Sequence, residues 1–137
     1  MSSGVVEKCP CKSGLSYKDC CQPYHEGRQP PSAATLMRSR YSAYAKHLSD
    51  YIIHTTHPEN PSAQSDPLLW TQQILLFTRS TQFCGLKILE VSEAEDEAFV
   101  TFTAYLKQGT RDASFTEKST FRRQAGRWLY VSGEHEV

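Results

Sequence analysis

The stretch Ala98-Phe-Val-Thr-Phe-Thr-Ala-Tyr-Leu106 decides the fold. Ala98, Val100, Phe102, Ala104 and Leu106 alternate with Phe99, Thr101, Thr103 and Tyr105. A period of two sends the two sets to opposite faces of an extended chain, and the β-branched and aromatic content suits a pleated surface. Turn-forming pairs flank the stretch: Glu95-Asp96 before it and Gln108-Gly109 after it. Beyond them, Phe115, Glu117, Ser119 and Phe121 share one face of a next strand. After Ala125-Gly126, Trp128, Tyr130 and Ser132 share one face of a last strand. From Thr81 onward the chain therefore reads as an antiparallel meander.

Working towards the N-terminus, the period lengthens. Ser32 caps a helix that runs to about His47 or Leu48, with Met37, Tyr41, Tyr44 and Leu48 on its buried face. Ser49-Asp50 restart a short helix through Tyr51, Ile52 and Ile53, which ends at His57-Pro58 because the residue before proline avoids helical geometry. Residues 59–65 are polar and contain Pro61, as a loop would. Asp66-Pro67 opens another helix, whose apolar stripe is Leu69 or Trp70, Ile74 and Phe77. Helices followed by strands predict an α+β domain with helices on one face of a sheet. Gln29-Pro30-Pro31 is a stiff break, dividing the chain into residues 1–28 and 29–137.

A chain of 137 residues can bury one core, and 39% hydrophobic residues with 11% aromatics are globular values. No apolar run is long enough to cross a bilayer, and MSSGVVEKCPCK at the N-terminus lacks the apolar stretch of a secretory signal. The expectation is a soluble cytoplasmic protein with no membrane contact. A net charge of +0 argues against nucleic acid as a partner, since phosphate binding needs surplus Lys and Arg. The charge is unevenly placed: residues 1–47 hold seven Lys/Arg against three Asp/Glu, a surplus of four positive charges.

Cys9, Cys11, Cys20 and Cys21 follow the spacing C-x-C-x8-C-C. Pro10 restricts the backbone between the first pair, and Ser13-Gly14 permits a chain reversal. Ser16 and Asp19 stand at the spacing of a helix-capping pair, so one helical turn would return Cys20 and Cys21 to the first pair. Four such thiolates can form the tetrahedral shell of a structural Zn²⁺. Lys8, Lys12 and Lys18 should lower the thiol pKa values. Disulfides, core thiols and a redox pair are the rival readings. The reducing compartment, the low apolar content of residues 7–28 and the lack of a C-x-x-C weigh against them in turn. His25 is a spare ligand beside an already complete shell, and Cys84 reads as a small buried residue at the start of a strand.

CPCKSGLSYKDCC, residues 9–21, resembles the SEC-C zinc motif. With QPYHEG after it, LMRSRYSAY at 36–44, HTTHP at 54–58 and EKSTFRRQAGRWLYVSG at 117–133, the chain resembles the YchJ family of bacterial proteins over nearly its whole length. The resemblance implies a zinc knuckle followed by a nuclear-transport-factor-two-like, or cystatin-like, domain. In that fold helices pack on a curved antiparallel sheet and often leave a pocket between them. One departure is Lys12, where the motif usually has glycine; another is that Glu136-Val137 closes the sequence without a second copy of the motif.

Several other residues are candidates for a ligand site. Arg38, Arg40 and Tyr41 lie on the first long helix, and arginine offers a fork of donors to an anion or carboxylate at a pocket edge. His57 is a candidate acid or base, against its plainer reading as a helix-end hydrogen-bonding residue. Glu117, in phase with Phe115 and Phe121, should face inward and pair with Arg38 or Arg40. No P-loop, dinucleotide fingerprint, G-x-S-x-G or H-E-x-x-H pattern occurs, so nothing in the sequence supports an enzyme. The preferred expectation is a non-catalytic module that docks an acidic protein surface through its zinc knuckle. The alternative is a small-molecule-binding or enzymatic domain with a polar pocket between helices and sheet. A filled sheet face would favour the first and an open cavity with convergent polar groups the second.

Overall fold

The computed structural model describes residues 7–135. The readings made on the N-terminal residues through Val6 and on Glu136-Val137 lie outside them. A 3₁₀ turn at Tyr17–Asp19 leads into α1 (Gln22–His25), α2 (Ala33–Ala45), α3 (Ser49–His54) and α4 (Pro67–Arg79). Then come β1 (Gln82–Glu93), β2 (Glu97–Gln108), the short β3 (Arg111–Asp112), β4 (Phe115–Gln124) and β5 (Arg127–His135). The strands pair antiparallel in the order β1-β2-β4-β5, with β3 on β2. None of the helices among the described residues is long and apolar enough to cross a membrane.

The helix starts follow from their caps. Ser32 Oγ accepts from the backbone N–H of Thr35, and Asp66 Oδ1 accepts from that of Leu68, with Pro67 at the first helical position. Each cap satisfies a donor that a helix start leaves free, worth about 1 kcal/mol. α2 stops at Ala45, slightly before the expected end, and His47 beyond it takes a left-handed backbone, φ 62°. α3 ends at His54, so Thr55, Thr56 and His57 lie between the helix and Pro58. Those three residues run beside β5 instead. Tyr130 N–H donates to Thr55 O at 2.9 Å and His57 N–H to Tyr130 O at 2.7 Å, which covers the sheet edge. In the α4 stripe the core position belongs to Trp70, while Leu69 is exposed.

β2 alternates as its sequence requires. Val100, Phe102, Ala104 and Leu106 are buried under the helices, and Tyr105 is on the open face. Each large side chain so buried stabilises by about 1.5–3 kcal/mol. The sheet is bent by extra residues in its edge strands, since a bulge kinks the ladder and increases its twist. In β1 the register slips at Cys84 and again at Leu89. Cys84 is therefore exposed, not buried as expected, because the bulge takes it out of the alternation. In β5 the register slips at Val131: Phe121 pairs with Tyr130, but Thr120 pairs with Ser132. Ser132 consequently leaves the face it was expected to share with Trp128 and Tyr130, and Gly133 and His135 take its place, opposite Ser119 and Glu117.

The main core joins α2 to the sheet through Leu36, Met37, Val100, Phe121 and Trp128, and it includes Cys9, Cys11, Tyr17 and Cys21. A smaller cluster of Ala43, Ile52, Trp70 and Ile74 holds α2, α3 and α4 together.

Candidate metal centre and ligand cavity

The cysteine segment folds back on itself by short-range bonds. Cys9 N–H donates to Leu15 O at 3.0 Å and Tyr17 N–H to Glu7 O at 2.8 Å. The reversal between them uses left-handed backbone at Lys12, φ 63°, and Gly14, φ 93°. The usual glycine at position 12 is thus explained by the backbone, which lysine adopts only with strain. Ser16 caps the 3₁₀ turn, its Oγ accepting from Asp19 N–H at 3.3 Å, and the turn delivers Cys20 and Cys21 as expected. The four sulfurs lie within 4.8 Å of one another; Cys11 and Cys20 are 3.6 Å apart, and Cys20 and Cys21 3.9 Å. A tetrahedral shell with metal–sulfur bonds of about 2.3 Å requires sulfurs about 3.8 Å apart, so the donor set fits a metal ion.

The thiols cannot all ionise unaided. Hydrogen bonds from Cys21 and then Cys9 hold the Cys11 thiol far below its ordinary range, and those to Cys11 and Cys9 push Cys21 far above it. Burial raises Cys20 to about 11. Cys11 thus accepts from its neighbours' thiol protons. A divalent cation would replace those protons. The three lysines are exposed and are not among the causes of these shifts, contrary to expectation. The nearby cation is Arg38, whose Nη1 donates to Cys11 O at 3.2 Å and lies 3.8 Å from Cys11 Sγ. Ser42 Oγ stands 3.3 Å from both Cys9 Sγ and Cys21 Sγ. His25 is not part of the sulfur cluster: its Nδ1 meets the Tyr17 hydroxyl, and its Nε2 donates to Ser39 O at 2.8 Å.

On the other side of α2 a cavity of about 370 Å³ separates the helices from the sheet. Aromatic rings, including Phe77, Phe83, Phe102 and Trp70, form much of its wall, and Arg40, Tyr41, Glu117, Ser119 and Tyr130 supply its polar groups. Arg38 and His57 do not line it. Arg38 serves the cysteine segment. His57 is buried beside β5, where its Nδ1 accepts from Glu59 N–H at 3.0 Å, as the plainer reading has it. The Tyr41 hydroxyl accepts from Gly85 N–H at 2.9 Å, fixing α2 to β1.

Glu117 does face inward, but no arginine pairs with it. Its Oε2 accepts from the hydroxyls of Ser119 and, at 3.3 Å, Tyr130, and its Oε1 lies 3.5 Å from His135 Nε2. Arg40 is placed by α3: its Nη1 donates to Ile52 O, Thr55 Oγ1 and Thr56 Oγ1. The Tyr130 side chain touches both charges. The Arg40 guanidinium lies 4.4 Å from the ring centroid, while the ring's hydroxyl reaches Glu117. Burial first, and the Glu117 charge second, push the Tyr130 hydroxyl well above its ordinary range, which keeps it a donor. Sequence reasoning missed Tyr130 and Gly133. A Cβ at Gly133 would come within 2.1 Å of Glu117 Oε2, so that glycine is what lets the carboxylate lie against β5.

An α+β layer with helices over a bent antiparallel sheet, a cavity between them and a four-cysteine site at the front defines an NTF2-like domain carrying a SEC-C motif. The chain belongs to the YchJ family: residues 32–133 match the model for the YchJ middle NTF2-like domain, and residues 7–23 match the SEC-C motif. It is similar to a UPF0225 protein of Pectobacterium carotovorum, 41% identical over 137 residues, covering 96% of this chain and 85% of that one. It also resembles the solution structure of a SEC-C motif containing protein from Rhodopseudomonas palustris. There the TM-score is 0.82 at 35% identity, over 94% of this chain and 98% of that one. An NTF-2 like protein of unknown function from Shewanella oneidensis shares the fold alone, with a TM-score of 0.55 at 12% identity, over 76% of this chain and 95% of that one.

Proposed function

We propose that this chain is a zinc protein whose metal is structural and whose work is to bind a small organic molecule in the cavity between helices and sheet. The observation that carries the reading is the cavity itself: about 370 Å³, aromatic-walled, with Arg40, Tyr130 and Glu117 at hand. Such a combination of apolar wall and few polar groups is what small-molecule sites have in common. Zinc is favoured by an all-cysteine donor set, and burial of Cys9, Cys11 and Cys21 leaves no open coordination position for a substrate. Free cysteines suit a reducing compartment, which supports a cytoplasmic location. The test is a small-molecule screen by thermal shift on protein whose metal content has been measured. Expected are one zinc per chain and compounds that raise the melting temperature by mass action. Those compounds should lose their effect in Ala104→Leu, which fills the cavity from β2. Stabilisation that survives this variant would place binding elsewhere.

A second reading, docking of a protein through the knuckle, draws on one observation. Leu15 is 54% exposed on the outer loop, among the exposed Lys8, Lys12 and Lys18. An acidic partner would bind there less tightly as salt rises.

A further inference from the structure

We propose that Arg40 anchors the carboxylate of a small carboxylic acid with an apolar body, seated in the main-domain cavity; this rests on the cavity reading above. Arg40 is only 6% exposed, yet no carboxylate among the described residues lies within ion-pair distance of it. Guanidinium stays charged at every physiological pH. A buried cation without a counter-ion is costly, and the fold offsets that only in part, by three hydrogen bonds and one aromatic face. All three acceptors surround Nη1, which shares two hydrogens among them; Nε and Nη2 have no protein acceptor among the described residues and are not buried unpaired atoms, so solvent reaches them. Arg40 lines the cavity, so a ligand carboxylate there can replace water on that open edge and supply the missing negative charge.

The other charged group of the cavity is differently placed. Glu117 already takes hydroxyl bonds from Ser119 and Tyr130 on Oε2, and its Oε1 is turned towards His135 on β5. Tyr130 meets Glu117 with its hydroxyl and Arg40 with its ring, and the carboxylate is not within ion-pair distance of the guanidinium. A ligand carboxylate would accept charge-assisted bonds from the free edge of Arg40. Its body would lie against Phe77, Phe83, Phe102 and Trp70. The class is therefore an aromatic or otherwise apolar monocarboxylic acid.

The test is calorimetric titration of the full-length, metal-loaded protein with matched pairs: 3-phenylpropionate, indole-3-acetate and octanoate, each against its primary amide. 3-Phenylpropylamine is the cationic control. The expected result is that at least one acid binds about ten-fold or more tightly than its amide. Arg40→Gln should erase that preference. Because the acid-to-amide ratio is read on the unaltered protein, a failure of the variant to fold leaves the comparison intact. Amides that bind as well as acids, or an amine that binds more tightly than either, would overturn the role of Arg40 and leave the cavity reading standing. No binding by any of these probes, or binding of an acid undiminished in Ala104→Leu, would overturn both.

Discussion

The two faces of α2 are held in shape by different means. On one, the cysteine segment gathers its ligands from thirteen consecutive residues, Cys9 to Cys21, and local turns bring the sulfurs together. On the other, the cavity draws its polar groups from α2, β4 and β5, which meet only when the whole meander has formed. The first region offers a donor set that fits a metal; the second needs a register. The lesson is that a site built from local sequence can be read from spacing, whereas one built across strands depends on every irregularity between them. The two are nevertheless joined, since Cys9, Cys11, Tyr17 and Cys21 belong to the same core as Leu36, Val100 and Trp128.

The largest effect should come from breaking the metal site. Metal binding supplies on the order of 10–16 kcal/mol to small zinc-dependent folds. Chelation, or Cys21→Ser, should expose the amides of residues 7–30 to hydrogen exchange first and lower the melting temperature of the whole chain through the shared core. Protection in β2 and β4 should persist. Equal loss of protection in those strands would show one cooperative unit and erase the distinction between the regions.

Next in size is the carboxylate beside β5. Glu117→Ala leaves the hydroxyls of Ser119 and Tyr130 without their acceptor, at about 1–3 kcal/mol for each buried donor left unmade. Glu117→Gln keeps an acceptor and should cost less. Gly133→Ala, which forces Glu117 out of place, should resemble Glu117→Ala in chemical denaturation and leave residues 7–30 as protected as before. A change confined to residues 7–30 would contradict the division drawn between the regions.

A smaller effect concerns His25. Burial lowers its pKa below the ordinary 6.5. The unfolded chain then binds the extra proton first, so stability should fall as pH drops below about 6.5. His25→Gln should flatten the part of that slope due to the imidazole, measured by denaturation between pH 7 and pH 5 at fixed metal. An unchanged slope would remove His25 from the pH dependence. Smallest is Lys12→Gly, which removes left-handed strain but adds freedom to the unfolded chain. The expected outcome is a gain of at most about 1 kcal/mol, seen as tighter metal retention against a competing chelator.

Much of this was legible in the sequence. The caps at Ser32 and Asp66, the alternation of β2, the turns and the four-cysteine cluster all depend on near neighbours, and the structure has them where spacing placed them. What was not legible depended on distance or on a broken period. Arg38 and Arg40 are two residues apart on one helix, so they point in different directions, one to the sulfurs and one to the cavity. Nothing in LMRSRYSAY says which arginine goes where. Cys84 and Ser132 were misplaced because a bulge breaks the alternation without altering the residue types that suggest a strand. Glu117 was placed inward correctly, but its partners are hydroxyls and a histidine rather than an arginine. The Tyr130 side chain contacts both charges, its ring Arg40 and its hydroxyl Glu117.

The single extra residue at Val131 acts as a phase setting for the end of the chain. Drawing it into the ladder opposite Thr120, with no change of sequence, would be a frameshift of geometry rather than of code: Ser132 would come round to Phe121's side of β5, and Gly133 and His135 would rotate away from Glu117. The hydroxymethyl of Ser132 would then stand where the carboxylate now needs open space. Closing the bulge would thus rewrite the polar end of the cavity with no substitution, whereas deleting Val131 would keep Ser132 opposite Thr120 and Gly133 opposite Ser119.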